Sequence, residues 1–235
     1  MINLKVGEHD CKIPQSWSEM NLGEWNAIYE IMKQNEFVSP YDNDAVLTDD
    51  EKKLLKTQQD LHNIKVNRKV FSKMTGIDEQ TIDRVDAKQM SNTLTTMTNF
   101  LNSEVERKTI DAEHKHSFTL KGKKYYFPIA EMRESTFGDF IEAAQLDLLS
   151  EKNKIGRFGV IAEQMAILCR EQNEEYDEQK VAKKTRLFKE LTMDVVWDFI
   201  FFLNQQISIY KTNTQMFSKT EIEMETDTQP QIGKL

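Results

Sequence analysis

Proline and glycine are scarce in this chain, at 4 and 8 of 235 residues. A β-sandwich or barrel reverses direction about every ten residues and uses both freely, so the shortage excludes turn-rich β architecture and leaves helix to dominate. Cysteine is scarcer still: Cys11 and Cys169 stand far apart in apolar surroundings, which excludes a disulfide framework and a thiolate-rich metal site. The 4 histidines leave little for imidazole chemistry. No long apolar run is present either. The longest ends at Leu203 and contains Asp198, whereas a membrane span needs roughly twenty apolar residues and a central carboxylate costs about 3 kcal/mol. Met1 opens no charged-then-apolar leader, so a reducing cytoplasm is the expected compartment. The formal net charge of −8 disfavours a general nucleic-acid binder, which clusters Lys and Arg on its contact face.

What the chain does have is a greasy stretch near its carboxyl end, Thr192 to Phe217. Met193, Val196, Ile200, Leu203, Ile207, Tyr210 and Phe217 recur at the three-then-four spacing of one helical stripe. Val195, Trp197, Phe199, Phe201 and Phe202 add apolar bulk on the other faces of its first half, so that half must be surrounded, while the second half keeps a single apolar face. The stretch reads as the central post of a helical domain, and Ile207, Tyr210 and Phe217 as a partner-binding surface.

Other elements follow in order. Residues Ile2 to Val6 and Cys11 to Ile13 predict a hairpin around Gly7 to Asp10, ended by Pro14. Asn21 with Glu24, and Thr48 with Glu51, have the spacing of reciprocal helix caps. The first opens a helix to about Gln34 with Leu22, Trp25, Ile28, Tyr29 and Met32 on its inner face. The second opens a long helix carrying Leu54, Leu61, Ile64, Phe71 and Met74 inward and stopping at Gly76. Asn35 to Leu47 reads as an exposed loop. Helices follow Asp78 and Asp86, the latter with Met90, Leu94, Met97 and Leu101 on one face, and Asn102 to His116 reads as a connector. Ser117 to Pro128 predicts a second hairpin turning at Lys121-Gly122. Beyond Thr136, one helix carries Phe137, Phe140, Ile141, Ala144 and Leu148, and another carries Ile155, Phe158, Ala162, Met165 and Cys169. An acidic loop, Glu171 to Glu178, and a charged helix to Glu190 lead into the post, and Ser218 to Leu235 is a polar tail.

The two halves share a plan. Pro14 followed by Leu22-Gly23-Glu24-Trp25 matches Pro128 followed by Phe137-Gly138-Asp139-Phe140, and Asp78-Glu79-Gln80 matches Asp177-Glu178-Gln179. The expected fold is therefore mainly α, a helical domain with two short β-hairpins, arranged as two related hairpin-plus-helices units over residues 1–110 and 113–217 with a tail over 218–235.

Reactive groups are few. Glu113, His114 and His116 are too few for a metal site, and a solvated connector explains them. Cys169 within AILCR reads as a core residue rather than a nucleophile. Asp194 and Asp198, four apart on the post, have the spacing for acid–base work, but Asp194 is more simply a first-turn acid favoured by the helix dipole, and Asp198 needs an exposed sliver of surface or a partner such as Lys183, Lys184 or Arg186. Lys121, Lys123 and Lys124 with Tyr125, Tyr126 and Phe127 combine charge and rings as some nucleic-acid surfaces do, against the simpler account that the rings pack on helix. The 11 methionines, Met90, Met97, Met165, Met193 and Met216 among them, suit core filling or an adaptable groove. No cofactor or metal is expected.

Thr136-Phe137-Gly138-Asp139-Phe140-Ile141, then Ala162-Glu163-Gln164-Met165-Ala166-Ile167-Leu168-Cys169-Arg170, the tyrosine-containing acidic loop at Glu174 to Asp177, and Leu191-Thr192-Met193-Asp194-Val195-Val196 leading into Phe201-Phe202 together resemble a family of small tailed-bacteriophage proteins. These are tail-assembly chaperones or minor tail structural proteins. The resemblance covers about residues 117 to 217, and Ile13-Pro14-Gln15-Ser16-Trp17 extends it loosely. Arg170 is followed by Glu171 where such relatives often have proline, which leaves the subfamily open. The resemblance implies a non-enzymatic role in the host cytoplasm or in the virion. There the chain would hold a tape-measure helix or a tail, baseplate or connector component by protein–protein contacts, with self-association compatible and no membrane involved. A DNA-packaging accessory role is the alternative.

Overall fold

A computed structural model describes residues 1–41, 46–104, 116–128, 136–152 and 155–205. Among them the chain is mainly helical with two antiparallel two-stranded sheets. Strands β1 (Ile2–Val6) and β2 (His9–Ile13) pair from Ile2 with Ile13 to Val6 with His9. The turn is tighter than expected, because Gly7 enters the left-handed region at φ 61° and closes it in two residues. A 3-10 turn at Trp17–Glu19 leads into α1 (Leu22–Gln34). The cap is the expected one. The Glu24 N–H donates to Asn21 Oδ1 at 2.8 Å and the Asn21 N–H to Glu24 Oε2 at 3.1 Å. Thr48 and Glu51 likewise cap α2 (Asp49–Thr75), which stops at left-handed Gly76. Asp78 caps α3 (Glu79–Ile82) and Asp86 caps α4 (Ala87–Leu101).

In the second half β3 (Ser117–Leu120) and β4 (Lys123–Tyr126) reverse through Lys121 and Gly122, both at positive φ as a tight hairpin turn requires. Helices α5 (Phe137–Lys152), α6 (Arg157–Leu168) and α7 (Glu178–Phe188) follow, and residues 193–205 form α8. The aromatic half of the post is enclosed on one side, where Met193, Val196 and Phe199 have no exposed surface and Ile200, Phe202 and Leu203 are buried, but Val195, Trp197 and Phe201, expected to be surrounded, are half-buried. Ile207, Tyr210 and Phe217, with the tail, lie outside the described residues.

One hydrophobic cluster runs through both halves. Its seam is where α1 and α8 begin. The Leu22 N–H donates to Leu191 O at 2.8 Å, the Gly23 N–H to Lys189 O at 2.9 Å and the Met193 N–H to Met20 O at 2.8 Å. Around that seam Trp17 meets Trp25, Phe100 and Trp197 at centroid distances of 5.0, 4.9 and 5.9 Å, and Phe158 meets Trp25 and Trp197 edge-on.

Three other expectations about faces fail, and helix α6 is enclosed as well, with 9 of its 12 residues buried. Small side chains at Ala162 and Ala166 let neighbours close on more than one side. Gly156, its N-cap, sits where an added Cβ would come within 2.6 Å of Tyr29 and Glu30 on α1. Gly156→Ala should therefore lose about 1–3 kcal/mol in urea unfolding as α1 and α6 are forced apart. Because Gly156 caps α6, the helix starts at Arg157 and leaves Ile155 outside it, 44% exposed. On α5, Ala143, Asp139 and Ser150 face inward, so Ile141 and Leu148, expected in the core, are 39% and 66% exposed. On α2, Phe71 is buried as expected, but Leu54, Leu61 and Ile64 face solvent at 53–56%. Over the amino-terminal half of α2 the half-buried residues beyond the capping Glu51 are Leu55 and His62, on a different face from Leu54 and Leu61.

Candidate functional site

The residues that carry chemistry converge where β4 meets the end of α6. Tyr126 and Arg170 exchange backbone hydrogen bonds, Tyr126 N–H to Arg170 O at 2.8 Å and Arg170 N–H to Tyr126 O at 3.2 Å. That exchange fixes the direction in which the Arg170 side chain leaves. Its Nη2 lies 2.7 Å from Asp139 Oδ2, the two side chains being 16% and 6% exposed. Asp139 is held from its own helix, since Oδ2 also accepts the Thr136 N–H at 2.8 Å and the Asp139 N–H donates to Thr136 Oγ1 at 3.2 Å. This is the same reciprocal cap that Asn21 and Glu24 form on α1. The Tyr176 ring covers the Arg170 guanidinium at 5.6 Å, and its hydroxyl donates to Glu142 at 2.8 Å. Desolvation, and then the Glu142 carboxylate, push that hydroxyl's pKa up to about 12.

Beside this clasp the loop after α6 turns at Asn173, φ 61°, and folds Glu174 inward. Lys184 of α7, nearly buried, donates to Cys169 O at 3.0 Å and to Glu174 at 3.3 Å. Burial lowers the Lys184 pKa against the opposing pull of Glu174, and burial raises that of the fully enclosed Cys169 thiol. The lysine shift has a testable sign. Between the lowered folded value and the ordinary 10.5, the unfolded chain holds the proton more tightly than the folded one. Stability contributed by Lys184 therefore rises with pH across that window. Relative to Lys184→Met, the wild-type unfolding free energy should climb as the pH rises toward 10.5; parallel curves would place the shift elsewhere.

Two cavities flank these residues. One, of about 410 Å³, is lined by Tyr126, Phe127, Pro128, Arg170 and the loop 171–175. The other, of about 490 Å³, lies between Lys123 and Tyr125 on the hairpin and Lys180, Lys183 and Lys184 on α7. Lys180 and Lys183 add positive charge to the second cavity, while Lys184 is paired with Glu174 and the hairpin lysines have partners of their own. Lys123 binds Glu171 at 2.7 Å, Lys121 binds Glu190 at 2.8 Å, and Lys124 sits over the Tyr126 ring at 5.2 Å. Tyr125 and Phe127 turn inward, as the simpler account of the hairpin holds, but onto later helices than the next one. Tyr125 meets Phe188 of α7 at 5.0 Å and Phe127 meets Phe199 of α8 at 5.7 Å. The hairpin thus offers bases no exposed ring at either position.

Other candidates disperse. Glu113 and His114 lie outside the described residues, while His116 stacks on Phe127. Among the described residues no three His, Cys, Asp or Glu side chains are grouped to hold a metal ion. Also among them, no helix is long and apolar enough to cross a membrane. Asp194 and Asp198 line neither cavity. The Asp194 Oδ1 is buried without a hydrogen-bond partner, and Lys184, one of the three partners considered for Asp198, is engaged by Glu174. Cys169 closes α6 by donating its N–H to Met165 O. The clasp between Asp139 and Arg170 is not readable from spacing. The available signal was an arginine ending a continuous apolar helix, a place where a charge needs a partner.

Set against protein-family models, curated proteins and solved structures, the chain matches none.

Proposed function

We propose that this chain is a non-enzymatic bacteriophage tail assembly or virion protein that works by holding another structural polypeptide, as a tail-assembly chaperone or a minor tail, baseplate or connector component. The reading rests on the resemblance carried by residues 117–217. One observation supports it above the rest: the residues that carry the resemblance lock to one another. Asp139 of the first motif grips Arg170 of the second, Gln164 donates to Ala143 O at 2.9 Å, and Tyr176 of the acidic loop closes over Arg170. Such a set builds a rigid body whose outward helices are free to bind. Leu148 and Leu149 of α5 are 66% and 48% exposed and suit an amphipathic partner helix. Ile207, Tyr210 and Phe217 remain the proposed partner-binding surface.

An amber mutation in the gene of the phage that encodes it tests the reading. DNA-filled heads without tails in electron micrographs are expected. Normal tails would overturn it, and empty heads bearing tails would move the assignment to DNA packaging. Mass spectrometry of purified wild-type particles then separates the two roles, since a chaperone is absent from them and a structural component is present.

A further inference from the structure

The outward side of α2 has a symmetry that the proposed tail role does not account for. Asp50, Leu54, Leu61 and Lys65 are spaced four, seven and four residues apart, which brings them onto one line along the helix. All four are exposed, with Leu54 and Leu61 at 53% and 55% and the Asp50 side chain at 98%. The helix residues that turn toward the body over the same span, Leu55, His62 and Val66, are on another face. His62 there hydrogen-bonds Asn35 O and meets the Phe37 ring edge-on. The line reads acid, leucine, leucine, base, and a twofold axis between Thr57 and Gln58 maps it onto its own complement.

We infer that α2 pairs with α2 of a second copy of this chain, antiparallel, with Leu54 of each copy on Leu61 of the other and Asp50 of each opposite Lys65 of the other. The contact is isologous, so each attraction occurs twice. A parallel pair would set Asp50 against Asp50 and Lys65 against Lys65, so the charges select the antiparallel form. Ile64, 56% exposed, lies beside the seam and extends its apolar width. The contact involves one helix per chain, which places it at the small end of specific interfaces and makes the dimer concentration-dependent.

Sedimentation equilibrium on the full chain tests this, at concentrations up to about 0.5 mM to reach the weak end of the range. The wild type is expected to move from the mass of one chain to that of two. Leu54→Glu/Leu61→Glu should stay at one chain throughout while its circular dichroism is unchanged, because both positions are exposed. Asp50→Lys and Lys65→Asp should each weaken the dimer about tenfold, and the two combined should restore it. A wild type that stays monomeric, a leucine variant that still dimerises, or a combined charge exchange that fails to recover would each overturn the pairing. None of these outcomes bears on whether tails form, so the inference and the proposed function can fail separately.

Discussion

Replacing Arg170 with methionine should remove about 3–5 kcal/mol of folding stability, because it leaves a carboxylate buried without its cation. Asp139 keeps only the backbone N–H of Thr136, with its side chain 6% exposed. Urea unfolding should show the loss as a fall in midpoint at unchanged slope, and thermal unfolding as a drop of roughly 10 °C. The companion variant carries the argument. Asp139→Asn/Arg170→Met removes both charges and should recover much of the loss, because an intact pair repays its own desolvation and contributes little beyond that. If the double variant is as unstable as the sum of the two singles, the arginine matters for its packing against Tyr176 rather than for its charge. The same clasp joins α5 to the end of α6, so hydrogen exchange in α5 should accelerate in Arg170→Met before the α1 amides respond.

Phe188→Ala should cost a similar amount, about 3–5 kcal/mol. Phe188 has no exposed surface and receives two rings from the hairpin, Phe118 at 5.5 Å and Tyr125 at 5.0 Å, both edge-on. The cavity would open between α7 and β3–β4, and the exposed ion pair of Lys121 in the hairpin turn with Glu190, just past α7, contributes little to hold them together. Leu61→Ala is the contrast: the same kind of truncation on an exposed face should leave the monomer's stability within about 0.5 kcal/mol of wild type. Unfolding measured at low micromolar concentration separates this from any effect on pairing.

Local signals were legible in the sequence to the residue. Both capping arrangements are formed, Gly76 ends α2 in the left-handed region, and the second hairpin turns where Lys121-Gly122 marked it. These depend on neighbours within four residues, and the sequence contains that information. The inward faces of α2 and α5 were misjudged because periodicity says that a helix has an apolar side and not what stands opposite it. Leu54 and Leu61 repeat as regularly as Phe71 does, yet along that half of α2 the side that packs carries Leu55 and His62 instead. The enclosure of α6 was hidden for a related reason, since its continuous apolar run shows that the helix is buried and not which neighbours its alanines and glycine N-cap let approach. The Asp139–Arg170 clasp joins the start of one helix to the end of the next, and no short-range pattern reports such a meeting.

The backbone seam between the starts of α1 and α8 also has a consequence during synthesis. Leu22 and Gly23 complete their hydrogen bonds on Leu191 and Lys189, and Trp17 finds Trp197, only after nearly the whole described chain has been made. A ribosome adding about 5–20 residues per second takes on the order of ten seconds to supply those partners. Through that interval the tryptophans of the first half have no final cover, and their non-local pairing makes closure slow even afterwards. The nascent amino-terminal half is thus the form of this protein most in need of a holdase.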